Sequence, residues 1–421
     1  MRSHKRPRLT VRDIAVLAGL GFAGLAIVAA LVGANVRLSS LAPGGRDFFL
    51  AWTGARAFLF GNEDPYGSAS AVAAQELTYG GAPTNSVDPY RLNLPFYLLP
   101  FFFPFALITD PAVARGVWAF LGQAALVGAI FLSLDVVEWR ASRLFVVVFS
   151  LLVVFSFHSV AALAEGTPTI LLTLGYMGVL WAIRTEHDEL AGALIVLCLC
   201  MWEVVLPFLV LVSWRVLHER RWRIVAGFGM TLTILPALSF LLYPGWLLPF
   251  LTASMGMIRS AYGISMPAVL ARLLPQYGSQ IAKGVTIVVL STLIYEWAVG
   301  RDSDFRRFVW IACLALAVTP LIGIRTEIVN LVALLPSFVL VSAAALQRRR
   351  PGAWLGILFL VLAFAVPWLL FWRQFAFDDQ RAQDLLFLFL PCISVLGMYW
   401  TRWWFLRPAR TWLDEVRAAG R

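Results

Sequence analysis

Asp47 stands directly after Arg46 and behind the pair Gly44-Gly45, where a chain leaving an apolar segment bends. Two roles are open to a carboxylate in that place. It can cap the following helix by accepting backbone N–H groups, as Asp commonly does at helix starts. It can also act as a general base, taking a proton from a hydroxyl that attacks an electrophile. Arg56, Arg91, Arg259, Arg272, Lys283 and Arg325 form a second set. Cations of this kind stabilise a leaving anion as charge grows on it, a phosphate above all. Arg325 has the least freedom, since it lies in the short connection Gly323-Ile324-Arg325-Thr326-Glu327. A salt bridge to Glu327 or an anchor at the membrane surface are its structural alternatives.

Glu203 falls well inside an apolar stretch, where an ionisable group costs roughly 2.5 to 3.5 kcal/mol on insertion scales. Proton transfer, orientation of a basic partner and a hydrogen-bonded structural role are all open to it, and a place nearer the cytoplasmic side favours the structural one. His158 and Glu165 flank a tight connection, and one His with one Glu falls short of a metal site. Glu63, Asp64 and Asp88 read as solvated turn residues rather than ligands. Cys198, Cys200, Cys313 and Cys392 all sit in apolar segments and read as small hydrophobes, without a disulfide framework or a zinc site. The chain contains no GxxxxGK or GxGxxG nucleotide loop, so the reading includes no cofactor and no metal.

The elements that must position these groups are membrane helices. The 421 residues are 60% hydrophobic and 14% charged, and the mean hydropathy is +0.79, a balance that belongs to a polytopic membrane protein. The net charge of +10 comes from arginines in short clusters between apolar runs. Such a distribution follows membrane topology rather than nucleic-acid binding. The first apolar run, about 16–36, is too long for the core of a signal peptide and reads as the first span.

Twelve apolar segments are expected: about 14–36, 93–109, 112–134, 143–162, 167–184, 189–214, 223–243, 279–299, 307–323, 326–346, 352–372 and 384–402. The second carries Pro95, Pro100 and Pro104 and reads as a broken or re-entrant helix. Basic residues collect in alternate connections: Arg2 to Arg12, Arg215 to Arg223, Arg301 to Arg307, Arg348 to Arg350, and the tail from Arg402. Both termini are therefore expected in the cytoplasm, with the connections holding Asp135 and Glu138, Glu186 to Glu189, and Asp378-Asp379 on the other side. The whole chain, 1–421, reads as one integral membrane domain with large outer loops at 37–92 and 244–278. Within the first loop Phe48, Trp52, Ala55 and Leu59 recur at helical spacing, which predicts an amphipathic helix in the interface with Trp52 at headgroup level. Gly61-Asn62-Glu63-Asp64-Pro65 then stops it before Tyr66.

Asp47-Phe-Phe-Leu-Ala-Trp52, Ala55-Arg56-Ala57 and Gly61 to Tyr66 resemble the first outer loop of glycosyltransferase family 87, which has the type C membrane glycosyltransferase fold. Asn93-Leu94-Pro95-Phe96-Tyr97, Gly166-Thr167-Pro168-Thr169 and Arg220-Arg221-Trp222-Arg223 are similar to further landmarks, so the resemblance covers about 40–330. It implies an all-α bundle of about twelve spans in the cell membrane. It also implies transfer of a sugar, usually mannose, from a polyprenyl-phosphate donor to a glycolipid, glycan or protein acceptor on the outer face, with inversion. On this likeness Asp47 is the catalytic base. Arg325, Arg272, Lys283 and Arg56 are the cations for the donor phosphate, and Trp52, Asp64, Tyr66 and Tyr97 line the substrate pocket. Thr167 departs from the family's usual Gln, Trp202-Glu203 from Lys-Pro, and Arg325 from His, which leaves acceptor and phosphate clamp open. A multi-span transporter or flippase, or an inactive membrane scaffold, are the alternatives; a carrier is expected to show two similar halves, which this chain does not.

Overall fold

Hydrocarbon offers no partner for a bare N–H or C=O, so a chain this apolar must satisfy its backbone within helices. The computed structural model describes residues 11–61, 63–80, 91–259, 263–300, 303–348 and 353–406. The basic N-terminal stretch up to Thr10, Asn62, Asp88, Arg301, Arg349, Arg350 and the tail from 407 lie outside them. Among the described residues the regular elements are all helices, beside one isolated antiparallel bridge between Ile264 and Thr326.

After α1 (Val11–Leu41) come α2 (Arg46–Arg56) and α3 (Ser68–Tyr79), then a 3-10 stretch, Phe96–Phe102, that runs into the single turn α4 (Phe103–Ala106). Next follow α5 (Pro111–Val136), the bent pair α6 (Arg143–Val154) and α7 (Phe157–Glu165), and α8 (Thr169–Arg184). α9 (Asp188–Cys198) and α10 (Trp202–His218) are joined by the 3-10 turn Leu199–Met201. α11 (Trp222–Leu242) leads to the short α12 (Leu247–Arg259) and α13 (Met266–Leu273). α14 (Gly278–Val299), α15 (Phe305–Val318), α16 (Leu335–Ser342), α17 (Ala353–Phe377) and α18 (Gln380–Leu406) complete the bundle. The segments 305–322 and 328–346 are buried on nearly every side and form its axis, whereas α1 meets the bundle mainly along α5.

Ion pairs and hydrogen bonds identify the two ends of the bundle. At one end Glu138 binds Arg184 and Arg306, Asp188 binds Arg221, and Glu296 binds Arg307 and Arg402. At the other, Arg115 at the start of α5 donates to carbonyls at the end of α1 and of α7, and Arg46 binds Glu327.

This arrangement corrects the topology read from the sequence. Among the described residues nine helices, with Asp188–His218 counted as one, are by length and composition able to cross a membrane, or ten if the bent pair α6–α7 is one span, and the segments at 96–106 and 169–184 are shorter. The 96–106 segment begins and ends at the Arg46 end: Asn93 precedes it in the cavity wall there, and its last turn receives Trp52 and Arg56. Pro100 and Pro104 deny it a continuous helical ladder. The stretch 189–214, expected as one crossing, doubles back. A straight helix from Asp188 to His218 would hold its ends about 46 Å apart, yet Asp188 is paired with Arg221, which follows α10. Each of these two segments starts and finishes at the same end of the bundle, so the arginine clusters stay together and only the connections between the two segments change ends. Asp135, Glu138 and Glu186 to Glu189 therefore lie at the arginine-rich end, and Gly166 and the Leu199–Met201 turn at the other.

The helix α2 is packed more deeply than its spacing predicted. Phe48, Phe49, Ala51, Trp52, Thr53, Gly54 and Ala55 are all buried, so the helix is packed on most sides rather than presenting one face. Trp52 is 6% exposed and donates its indole N–H to the Phe105 carbonyl at 2.9 Å. Its ring packs edge-on against Phe49 in an aromatic cluster.

Candidate functional site

Asp47 owes its position to the bend before it. Gly44 and Gly45 have φ of 117° and 86°, a region that side-chain-bearing residues enter at a cost. The bend wraps Arg115, which is 4% exposed and donates to the carbonyls of Ala42 at 2.9 Å and Ala164 at 2.8 Å. A Cβ on Gly45 would stand 2.8 Å from the Cδ and Nε of Arg115. Behind it Phe48 is fully buried against Gly166, whose carbonyl accepts the Trp118 indole N–H at 3.0 Å. Gly45 is the N-cap of α2 and no side chain caps it from that position. Glu165 reaches across instead and accepts the Arg46 backbone N–H. Asp47 is therefore not the cap, and its carboxylate turns to the Arg46 side chain, 3.1 Å from Nε.

Arg46 joins two carboxylates. Beyond Asp47, its Nη2 lies 2.6 and 2.5 Å from the two oxygens of Glu327. Burial would weaken the guanidinium's hold on its proton, but the charges of Asp47 and Glu327 outweigh burial and raise it above its usual range. For Glu327 the balance runs the other way: burial first, then the charge of Asp47, push its carboxyl up against the pull of Arg46.

These residues line a cavity of about 800 Å³, within the range of pockets that enclose a small molecule. Its walls come from the first loop, the approach to the re-entrant segment, the α9–α10 turn, α12 and the 323–327 connection, and include Asp47, Tyr97, Glu203, Trp246 and Arg325. Arg91 and Arg325 supply cations beyond Arg46. Asn93 accepts from Ser254 at 2.6 Å, closing the wall between the first loop and α12. Asn330, at another part of the lining, accepts from Thr169 at 2.5 Å and donates to Thr326 at 3.3 Å. The Ile264–Thr326 bridge, with N···O distances of 2.8 and 2.9 Å, fixes the connection that carries Arg325.

Of the residues picked from the sequence, the fold brings Asp47, Tyr97, Arg91 and Arg325 to this cavity. Arg56, Arg272, Lys283, Trp52, Asp64 and Tyr66 do not line it. Arg56 donates to the Ala106 carbonyl at 2.8 Å and stacks 4.9 Å from the Trp52 ring. Arg272 pairs with the buried Asp384, and Lys283 is exposed on α14. Asp64 accepts the Tyr66 backbone N–H at 2.9 Å and a hydrogen bond from Tyr243, whose hydroxyl is pushed up to about 12 by burial and by that carboxylate. Tyr66 donates to the Leu94 carbonyl at 2.8 Å. Trp52, Asp64 and Tyr66 thus build the wall's support, not its surface. The Arg259 side chain is outside the described residues.

Several groups gained their place only through the fold. Glu203, placed nearer the cytoplasmic side by sequence, lines this cavity because the α9–α10 pair folds back and its tip rises to the Arg46 end. The polar Thr167, Thr169 and Asn330 carried a usable signal as hydrogen-bonding groups at the edges of apolar runs, as did Arg115 as a charge inside one. Glu327, which its place in the sequence offers as a partner for Arg325, binds Arg46 instead. Among the described residues no three His, Cys, Asp or Glu groups are disposed to hold a metal ion.

The family model of glycosyltransferase family 87 matches residues 93–320, more than half of the chain. That interval is narrower than the landmarks at 40–330, and Asp47, Arg325 and Glu327 lie outside it. No curated protein and no solved structure matches the chain.

Proposed function

The chain belongs to glycosyltransferase family 87 and is a membrane glycosyltransferase, and from that premise we propose that it moves mannose from a polyprenyl-phosphate donor to an acceptor hydroxyl, with inversion. Asp47 takes the acceptor proton as the oxygen attacks the anomeric carbon. The bond from that carbon to the phosphate oxygen breaks, and polyprenyl phosphate leaves with the electron pair. Arg325 and Arg91 face the growing charge on phosphate, while Arg46 holds the base. General-base help contributes about 10² to 10⁴-fold, and a cation on the leaving group a comparable share.

The single observation that carries this reading is one cavity lined by both Asp47 and the arginines 91 and 325. It lies at the end of the bundle away from Arg221, Arg306 and Arg402. By the excess of basic residues in cytoplasmic loops, that opposite end faces the cytoplasm of the cell membrane, so both termini are cytoplasmic and the cavity opens on the outer face. The acceptor is then an outer-face glycolipid, glycan or protein, and membrane lipid surrounds the donor's isoprenoid tail.

Purified protein in detergent, given polyprenyl-phosphate mannose and an alkyl mannoside acceptor, is expected to release polyprenyl phosphate and form an α-linked product from a β-linked donor. A transporter has no gradient to act on in detergent. Absence of any transfer there, from protein shown to be folded, overturns the proposal.

A further inference from the structure

We propose that Glu203 is a specificity-determining residue whose carboxylate accepts hydrogen bonds from neighbouring hydroxyls of the carbohydrate in the cavity. The inference rests on the transferase reading above and deepens it. Glu203 sits in the first turn of α10, just past the reversal at Leu199–Met201, so the fold carries it into the cavity on a tight helical tip. An ionised carboxylate offers about four acceptor sites. Among the described residues no side chain donates to Glu203. Asp47 is near enough for the two charges to repel, but the partners of the two carboxylates differ. Asp47 is held by Arg46 at 3.1 Å, whereas no cation pairs with Glu203 among the described residues.

A carboxyl with spare hydrogen-bonding capacity attracts hydroxyls. Arg91 and Arg325 attract phosphate. The same cavity therefore has a pole for the anion and a pole for polyhydroxylated rings, and its aromatic members Tyr97, Trp202 and Trp246 supply apolar surface for the C–H faces of a sugar. The helix N-terminus favours an acid at Glu203 in any case, which is the purely structural account that the experiment must separate from recognition.

The test compares wild type with Glu203→Gln and Glu203→Ala, using polyprenyl-phosphate mannose, its four monodeoxy analogues, octyl mannoside, and the corresponding deoxy acceptors. A hydrogen bond to a charged group corresponds to about 10- to 100-fold. Wild type is expected to lose that factor in kcat/KM on at least one deoxy sugar, and Glu203→Ala to show little further loss on that same analogue. If the penalty collapses on a donor analogue, Glu203 reads the transferred sugar; if on an acceptor analogue, it reads the acceptor. Either supports the proposal. Gln, which keeps one acceptor oxygen, is expected to fall between wild type and Ala. Unchanged deoxy penalties in both variants, with or without a lower melting temperature, overturn the role of Glu203 while leaving the transferase reading standing. No turnover by folded wild type overturns both.

Discussion

A single nitrogen of Arg46 reaches both carboxylate oxygens of Glu327, at 2.6 and 2.5 Å, across 281 positions of sequence. The contact ties the loop that carries Asp47 to the connection that carries Arg325, so the groups assigned to base and phosphate are held through one ion pair. Without the Glu327 charge Arg46 keeps Asp47 but loses its tie to the 323–327 connection. Glu327→Gln is therefore expected to lower kcat more than donor KM, and Glu327→Asp to restore part of it. Steady-state kinetics check this, and an unchanged kcat in Glu327→Gln denies the tie a positioning role.

The same pair gives a pH dependence. The carboxyl of Glu327 is raised by burial and by Asp47, so acidification protonates it above the range near 4.3 of a free Glu and removes one of the two anions on Arg46. Activity is expected to fall on the acid side through a limb that Glu327→Gln lacks. For stability the sign is opposite. A carboxyl raised in the folded state contributes stability that is full below its unfolded value and is lost as pH rises through its folded one. A pH series of melting temperatures should show that decline in wild type and not in Glu327→Gln.

Asp47→Asn keeps the side chain's shape and a carbonyl oxygen that Arg46 can reach, but removes the basic carboxylate. A loss of about 10² to 10⁴-fold in turnover, with expression and membrane insertion unchanged, is expected from radiolabelled transfer assays. Retained transfer removes Asp47 from the role of base.

Arg325 lines the cavity, while Arg272 is paired with Asp384 outside it. Arg325→Ala is expected to reduce kcat/KM by about 10² to 10³-fold, the range for losing one group that stabilises developing charge. Arg272→Ala is expected to leave kcat/KM within a factor of two or so, since it removes a contact remote from the chemistry. Equal losses in the two variants deny Arg325 its assigned role.

Gly45→Ala puts a side chain at φ 86°, with its Cβ 2.8 Å from Arg115. The left-handed conformation alone costs about 1–2 kcal/mol. The variant should melt at a lower temperature in detergent and lose turnover beyond that, because the displaced bend is what aims Asp47.

Much of this protein was legible in its residue order. Apolar runs of span length marked the helices at 112–134, 223–243, 279–299 and 384–402, which the fold matches with α5, α11, α14 and α18 to within a few residues, because the hydrophobic thickness of a membrane fixes that length. The positive clusters were informative because topology depends on local charge. Asp47 and Arg325 could be singled out from their positions beside turns. Glu203 could not be placed correctly, since a 31-residue apolar stretch from Asp188 to His218 has the same composition whether it crosses or folds back.

Composition and spacing alone determined that the chain is a helical membrane protein. Only the tertiary structure decided which charges share a cavity. Arg46 and Glu327 meet, Arg272 and Arg56 are held elsewhere, and Glu203 rises to the same end as Asp47. The physical reason is that burial in hydrocarbon acts on each segment independently and can be read one segment at a time. Ion pairing and cavity formation depend on the relative placement of segments hundreds of residues apart, and that placement is set by packing, by the prolines that stop a segment from crossing, and by turns that send a helix back the way it came.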